Sequence, residues 1–360
     1  MSTVSQRIDA LVACRETLEP WIGPFDAPAL TGLLESQLGS ALALDSWITR
    51  GDTRCRAFPL SPLLHVLSGN TPHAASQSVV RGLLVGGRNR IKLPSSGLLE
   101  FEEWIGGLAP ILGDLIEVRH DLPESWLNSA GVVVFGNERT IETFRSRVPA
   151  GTRLIEHGPK LSIAVLFQPE PAAAELVTRD ILAHEQRGCL SVQAVYVNGG
   201  PAAAKRFAER LAQSLEAARA AEPRKAIPRS DSGAISNARE LARFRAANGD
   251  GLALWESAGD TSWTVVYDHE PTLAPGPLNG FIRVHPLPTA TLLEDALGPE
   301  VRHLSTVAIH PYNNDNADFL AALDIPRICP FGRSQFPPLF WHHDGRPPLA
   351  DLVHWRDRSP

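Results

Sequence analysis

The chain has 360 residues, 43% of them hydrophobic and 21% charged, with a formal net charge of -6 at pH 7. A chain of this length buries a large core and is expected to form two lobes, while the acidic balance argues against nucleic acid, which needs a concentrated basic face. No apolar run reaches the roughly 18 residues of a membrane span, and the N-terminus lacks a signal-peptide pattern.

Residues 5–50 read as helical, broken at Pro20 and from Pro24 to Pro28. LSPLLHVLSGNTP is a strand followed by a turn, and AASQSVVRGLLVGG has apolar residues at helical spacing. RNRIKLP reads as a strand, LLEFEEWIGGLAPIL as a helix, IEVRH as a strand and PESWLNSA as a helix. GVVVFG is a continuous apolar run suited to a sheet buried on both faces, and NERTIETFRSRV follows as a helix with a polar cap and acid in its first turn. LSIAVLF is another buried-type strand, AELVTRDILAHEQR a helix and SVQAVYV a strand. Two amphipathic helices and the strands SWTVVYD, GFIRVHPL and VRHLSTVAIHP complete the pattern, with a loop expected at Pro223–Pro228. Alternating strands and helices predict an α/β fold with mostly parallel sheets.

Cys14, Cys55, Cys189 and Cys329 show no CxxC pair and no metal-ligand spacing, so a reduced, cytoplasmic protein without a metal is expected. Cys189 lies in HEQRGCLSVQAVYV, between a helix and a buried strand, beside Gly188. A thiol at such a turn can be activated by backbone N–H groups or by a cation such as Arg187. A lone cysteine is more often a small buried hydrophobe, so the surrounding motifs decide its reading.

Five separated motifs from about residue 60 onward resemble the aldehyde dehydrogenase superfamily, and within it the acyl-CoA reductases of the bioluminescence type. SGNTP matches the family's strand-end motif, which implies that Asn70 donates its amide to the substrate oxyanion. RIKLPSS places Lys92 and Ser95 where the family contacts the adenosine ribose or its 2′-phosphate. FGNERT resembles the turn on the phosphate side, with Phe135, Gly136 and Asn137 at a helix N-terminus facing the pyrophosphate. IEHGPK puts Glu156 at the general-base position, and the spacing between positions 156 and 189 keeps two motifs in register. RICPFG resembles the closing Pro-Phe-Gly turn, with Phe331 bordering the site and Cys329 structural. The family's Glu-x-Phe-Gly-Pro motif is missing: PGPLNGFIRV holds no glutamate. There is also no GxGxxG, in agreement with this superfamily.

The resemblance implies two interleaved lobes: N-terminal helices with a Rossmann-like cofactor domain over 1–158, a catalytic domain over 159–325 and a C-terminal segment over 326–360 returning near the active site. It implies reduction of an acyl thioester, on CoA or an acyl carrier protein, to an aldehyde through a Cys189 acyl-enzyme. The cofactor would be NADPH or NADH, with Lys92, Arg88 and Arg90 favouring NADPH. Glu156 is then a positioning group or proton shuttle, since no water is needed in this direction. The chain is shorter than typical members, which implies reduced oligomerisation arms and leaves a homo-oligomer as an option. Rival readings are an aldehyde dehydrogenase using Glu156 to activate water, a cofactor-free cysteine acyltransferase or thioesterase using His157 or His184, and a non-catalytic binding protein.

Overall fold

The computed structural model describes residues 2–288, 290–321 and 323–359. It divides into two compact units, Met1–Pro159 with Phe336–Pro360, and Lys160–Gln335. The first unit opens with helices α1 (Val4–Ala13), α2 (Glu19–Ile22) and α3 (Ala27–Leu38), followed by a hairpin of β1 (Ile48–Arg50) and β2 (Thr53–Pro59). Then come β3 (Leu63–Val66), α4 (Pro72–Val85), β4 (Asn89–Lys92), α5 (Leu99–Leu112), β5 (Ile116–Arg119), β6 (Gly131–Phe135), α6 (Glu138–Arg147) and β7 (Arg153–His157).

The strands β5-β4-β3-β6-β7 form one sheet, parallel throughout. Every residue of β6 is buried, as a continuous apolar strand between two helical layers requires. Val133 and Phe135 pack into the core shared with α1, α3, α4 and α5, whereas Val132 and Val134 meet Ile141 and Phe144 of α6. Alternate side chains therefore serve opposite layers, each fully buried valine contributing about 1.5–3 kcal/mol.

The second unit contains β8 (Leu161–Leu166), α7 (Pro171–Leu182), β9 (Val192–Val197), α8 (Gly200–Ala221), α9 (Arg229–Ala247), β10 (Leu252–Glu256), β11 (Thr264–Asp268), β12 (Phe281–Pro286), α10 (Ala290–Leu297), β13 (Leu304–His310), α11 (Asn314–Asp318) and β14 (Arg327–Pro330). Its sheet runs β10-β11-β12-β9-β8-β13-β14, with only the β10–β11 pair antiparallel. The last strand, β15 (Val353–Arg358), returns to the first unit and pairs antiparallel with β2 in the three-stranded sheet β1-β2-β15.

Three local readings of the sequence are corrected. The helical stretch expected to residue 50 gives way to β1, PESWLNSA forms a 3₁₀ turn at Glu124–Asn128, and α7 stops at Leu182. The last has a clear cause: His184, Glu185 and Gln186 take φ of 53°, 53° and 58°, which no right-handed helix can continue. Among the described residues no helix is long and apolar enough to cross a membrane.

A buried polar network ties β3 to α4 and β4. The Nε2–H of His65 donates to Asn89 Oδ1 at 2.8 Å, and its Nδ1 accepts from Ser78 Oγ at 2.8 Å. Gly82 is required there, because a Cβ would lie 2.1 Å from Asn89 Oδ1. Burial holds the His65 pKa down at about 4, against 6.5 ordinarily. The unfolded chain therefore takes up this proton first, so stability is present above pH 6.5 and is lost as pH falls towards 4. The loss from this group is up to about 3 kcal/mol. Denaturant unfolding across that window should show a steeper acid loss in wild type than in His65→Gln; identical slopes would contradict the account.

Candidate active site

Parallel strands place the turns that follow them along one edge of the sheet, and the first unit puts four sequence-selected segments there. The 67–70 loop leaves β3, 93–96 leaves β4, 136–137 leaves β6, and Glu156 lies near the end of β7. The N–H of Leu67 donates to Lys92 O at 3.0 Å, joining the first two loops. Gly69 permits their closure: a Cβ there would meet Ser96 Oγ at 2.5 Å and Pro94 Cβ at 3.3 Å. Asn70 is exposed between β3 and α4, and among the described residues its side-chain amide has no hydrogen-bond partner. The same holds for the Lys92 ammonium and the Ser95 hydroxyl. These three polar groups are unspent at the edge where doubly wound sheets take ligands.

The basic residues grouped with Lys92 from sequence do not converge on it. Arg88 precedes β4, at the far end of a four-residue strand, and Arg90 pairs with Glu117 at 3.5 Å over the Trp126 ring. Asn137 is the N-cap of α6, its Oδ1 accepting from Thr140 N at 2.9 Å. Gly136 fits against Thr140 only because it lacks a Cβ, which would sit 2.6 Å from Thr140 Cβ. Phe135 turns into the core instead, where its ring stacks on His157 at 4.6 Å.

Glu156 is already engaged. Arg145 of α6 grips both carboxylate oxygens, Nε on Oε1 and Nη2 on Oε2, each at 2.7 Å. The pairing raises the Arg145 pKa further, through the hydrogen bonds to Glu156 first. Both oxygens of this carboxylate are therefore already occupied by a bidentate guanidinium fork.

In the second unit, Cys189 is half-buried on the turn between α7 and β9, and none of the four cysteines is in a disulfide. The left-handed turn His184–Gln186 aims this segment. Each such non-glycine residue costs about 1–2 kcal/mol, so the conformation must be held by its partners. Glu185 forms a two-pronged ion pair with Arg219 of α8. The fully buried Gln186 amide donates to Val192 O at 2.9 Å and Phe281 O at 3.2 Å, and accepts from Gly280 N at 2.7 Å. Asn279 N–H donates to Glu185 O at 3.1 Å. The 275–280 segment, which lacks the family glutamate, thus braces the cysteine turn.

The cysteine is fixed on its other side as well. Ser162 Oγ donates to Cys189 O at 2.9 Å, and Gln335 Nε2 donates to Ser191 Oγ at 2.7 Å, which in turn accepts from Gly188 N at 3.2 Å. Cys329 is buried and its thiol is pushed up to about 12 by desolvation, as befits a packing residue. Phe331 is likewise core. Sequence reasoning missed Asp180, whose carboxylate accepts from Gly332 N at 2.7 Å and Ser334 N at 2.9 Å and so anchors the Pro-Phe-Gly turn to α7. Burial pushes its pKa up to about 6.

From sequence, the tail at 336–352 is expected only as a segment returning near the active site, with none of its side chains singled out. Arg81 of α4 donates to Leu339 O and Trp341 O, and Trp341 Nε1 donates to Gln77 Oε1 at 2.7 Å. Beyond them, the rings of Phe135, His157, His343 and Trp341 stack in series at 4.6, 4.2 and 4.7 Å. The Nδ1–H of His157 donates to Asp344 Oδ2 at 2.7 Å. His157, His343 and Asp344 bring a ligand atom each within 4.8 Å of one another. The adjoining cavity, about 40 Å³, has room for a few waters and not for an acyl chain. Its only sequence signal was the HHDG turn.

The model of the acyl-CoA reductase (LuxC) family matches residues 13–355. The long-chain acyl-protein thioester reductase of Vibrio harveyi is 24% identical over 350 residues, covering 91% of this chain and 70% of the relative. Among solved structures, aldehyde dehydrogenase 21 from Physcomitrella patens superposes with a TM-score of 0.67 at 11% identity, covering 99% of this chain and 86% of that one. Glyceraldehyde-3-phosphate dehydrogenase GapN from Methanocaldococcus jannaschii, complexed with NADP, gives 0.68 at 10% identity, covering 99% and 90%. The structural likenesses establish the aldehyde dehydrogenase-like α/β fold.

The brace on the cysteine turn is open to test. Replacing Gln186 by Ala strands one buried N–H and two carbonyls, so urea unfolding should show a loss of at least about 2 kcal/mol. Alkylation of Cys189 should change in rate alongside it. A variant with wild-type stability would show that the left-handed turn needs no such brace.

Proposed function

The chain belongs to the acyl-CoA reductase (LuxC) family, and from that membership we propose how its own residues carry out the reduction of an acyl thioester to an aldehyde. The Cys189 thiolate attacks the thioester carbon, the carrier thiol leaves with a proton, and the acyl group remains on Sγ. Asn70 donates its amide to the oxyanion that forms at the carbonyl, together with the backbone N–H of Cys189. Collapse of the reduced hemithioacetal releases the aldehyde and restores the thiolate. One thioester, one reduced nicotinamide and one proton thus give aldehyde, thiol and oxidised nicotinamide.

The bound nicotinamide cofactor supplies the hydride. The donors available in the first unit fit such a group: Lys92 and Ser95 take the adenosine end, and the turn at Gly136–Asn137 with the first N–H groups of α6 takes the pyrophosphate. Lys92 favours NADPH over NADH, now without help from Arg88 or Arg90. Phe135, stacked on His157 in the core, shapes this turn. Glu156 acts as a positioning group, because its bidentate pairing with Arg145 leaves it poorly suited to activate water. That pairing supports reduction over aldehyde oxidation. The acyl group is long-chain, by the names of the relatives, and is carried on CoA or on a protein.

One observation carries this reading: the family match over residues 13–355 takes in every residue named here. Anaerobic incubation with a series of acyl-CoAs, following NADPH and NADH absorbance, tests it. Aldehyde should form with cofactor oxidation, Cys189→Ala should abolish both, and Asn70→Ala should lower kcat by about 10²–10³. Lys92→Ala should raise KM for NADPH and leave that for NADH alone. Release of CoA without cofactor oxidation would instead favour the thioesterase or transferase reading.

A further inference from the structure

The end of β7 and the tail at 336–352, both in the first unit, bring together three metal-ligating side chains that the reduction does not use. His157 is the last residue of β7, and His343 and Asp344 lie on the short turn His343–Gly345. Their side chains keep only 10%, 5% and 9% of their surface exposed. His157 and Asp344 are 187 positions apart, so no local motif announces the set.

One carboxylate oxygen, Asp344 Oδ2, lies close to both rings. It is 2.7 Å from His157 Nδ1 and 3.8 Å from His343 Nε2, and a ligand atom from each of the three residues falls within 4.8 Å of the others. A tetrahedral ion with bonds of about 2.0–2.1 Å spaces its ligand atoms about 3.3 Å apart, between those two separations. The other oxygen, Asp344 Oδ1, is buried and has no hydrogen-bond partner among the described residues. A carboxylate oxygen left unpaired out of water is costly, and a cation bound through the carboxylate offsets that cost. Asp344 also takes φ of 53°, an uncommon conformation that persists only where the surroundings hold it.

We propose that His157, His343 and Asp344 form a zinc site that staples the tail to β7. Two imidazoles and a carboxylate suit Zn²⁺, whereas Mg²⁺ and Ca²⁺ take oxygen ligands. The adjoining cavity of about 40 Å³ is lined by both histidines and has room for the water that completes four-coordination. Arg81 and Arg346 line it too, and their charge favours hydroxide over neutral water at that fourth position. The cavity is too small for an acyl chain, so the ion is structural and takes no part in the thioester chemistry. On binding, the His157 proton moves from Nδ1 to Nε2, and Nδ1 offers its lone pair to the ion. His157 directly follows Glu156, so the staple also fixes the strand end that carries Glu156. An unfolded chain cannot hold these three groups together, and ion binding therefore stabilises the fold.

Titration of the chelator-treated full chain with Zn²⁺, followed by calorimetry, and with Co²⁺, followed by its visible spectrum, tests the proposal. Wild type should bind one ion at this site, with tetrahedral Co²⁺ bands and no thiolate charge transfer, which separates it from the cysteines. Affinity should fall at least about 100-fold in His343→Ala and in Asp344→Asn. It should stay unchanged in His342→Ala, an exposed neighbour. The unfolding midpoint of wild type should rise with free Zn²⁺, and those of the two site variants should not. Asp344→Asn preserves the side chain's shape, so loss of binding with a wild-type circular dichroism spectrum separates ligation from folding. Should either variant fail to fold, the wild-type Co²⁺ spectrum still decides between nitrogen–oxygen and thiolate ligands. No binding by wild type, binding that survives both substitutions, or thiolate-type bands would overturn the proposal. Stabilisation by inorganic phosphate with no uptake of either metal would overturn it in favour of an anion site.

Discussion

A parallel strand buried on both faces has no side on which to display polar chemistry, so its reactive groups gather at its ends. This constraint organises the first unit. β6 spends every side chain on packing, and the useful residues are displaced to the turns after β3, β4 and β6 and to the end of β7. Because those strands are neighbours in the sheet, loops far apart in sequence share one edge. Close packing then sets the fine positions, as where bare Gly69 lets two loops touch. The unspent amide of Asn70 and the unspent Lys92 and Ser95 are a consequence of that layout: the sheet satisfies its own backbone and leaves these groups for something else.

The second unit solves the cysteine's placement in another way. Three successive left-handed residues store a few kcal/mol of conformational cost, and the turn persists because a buried glutamine amide, an arginine–glutamate pair and the facing 278–280 turn over-determine it. The segment that lacks the usual family glutamate is the one that faces this turn. In this chain that stretch helps hold the cysteine turn.

The continuous apolar runs GVVVF and LSIAVL, and the switch from period two to helical spacing between them, made the α/β fold legible, since burial on both faces leaves an unmistakable pattern. Cys189, Asn70 and Glu156 stood out through motifs in register. The left-handed turn did not, because Glu and Gln do not favour positive φ and the modest enrichment of His there does not specify three such residues in succession; its cause lies in Arg219 and Gly280, distant in sequence. The bidentate hold of Arg145 on Glu156 was equally hidden. The stacked His157 and His343 depend on a proline-rich tail with no periodicity at all.

The central claim is that the acyl group passes through Cys189. The most direct measurement is mass spectrometry of the protein after incubation with a long-chain acyl-CoA in the absence of nicotinamide, with peptide mapping of the adduct. The account predicts one acyl group on the peptide containing Cys189, discharged as aldehyde when NADPH is added. An acyl adduct on another residue that is itself converted to aldehyde, or full turnover with no covalent adduct formed, would contradict it.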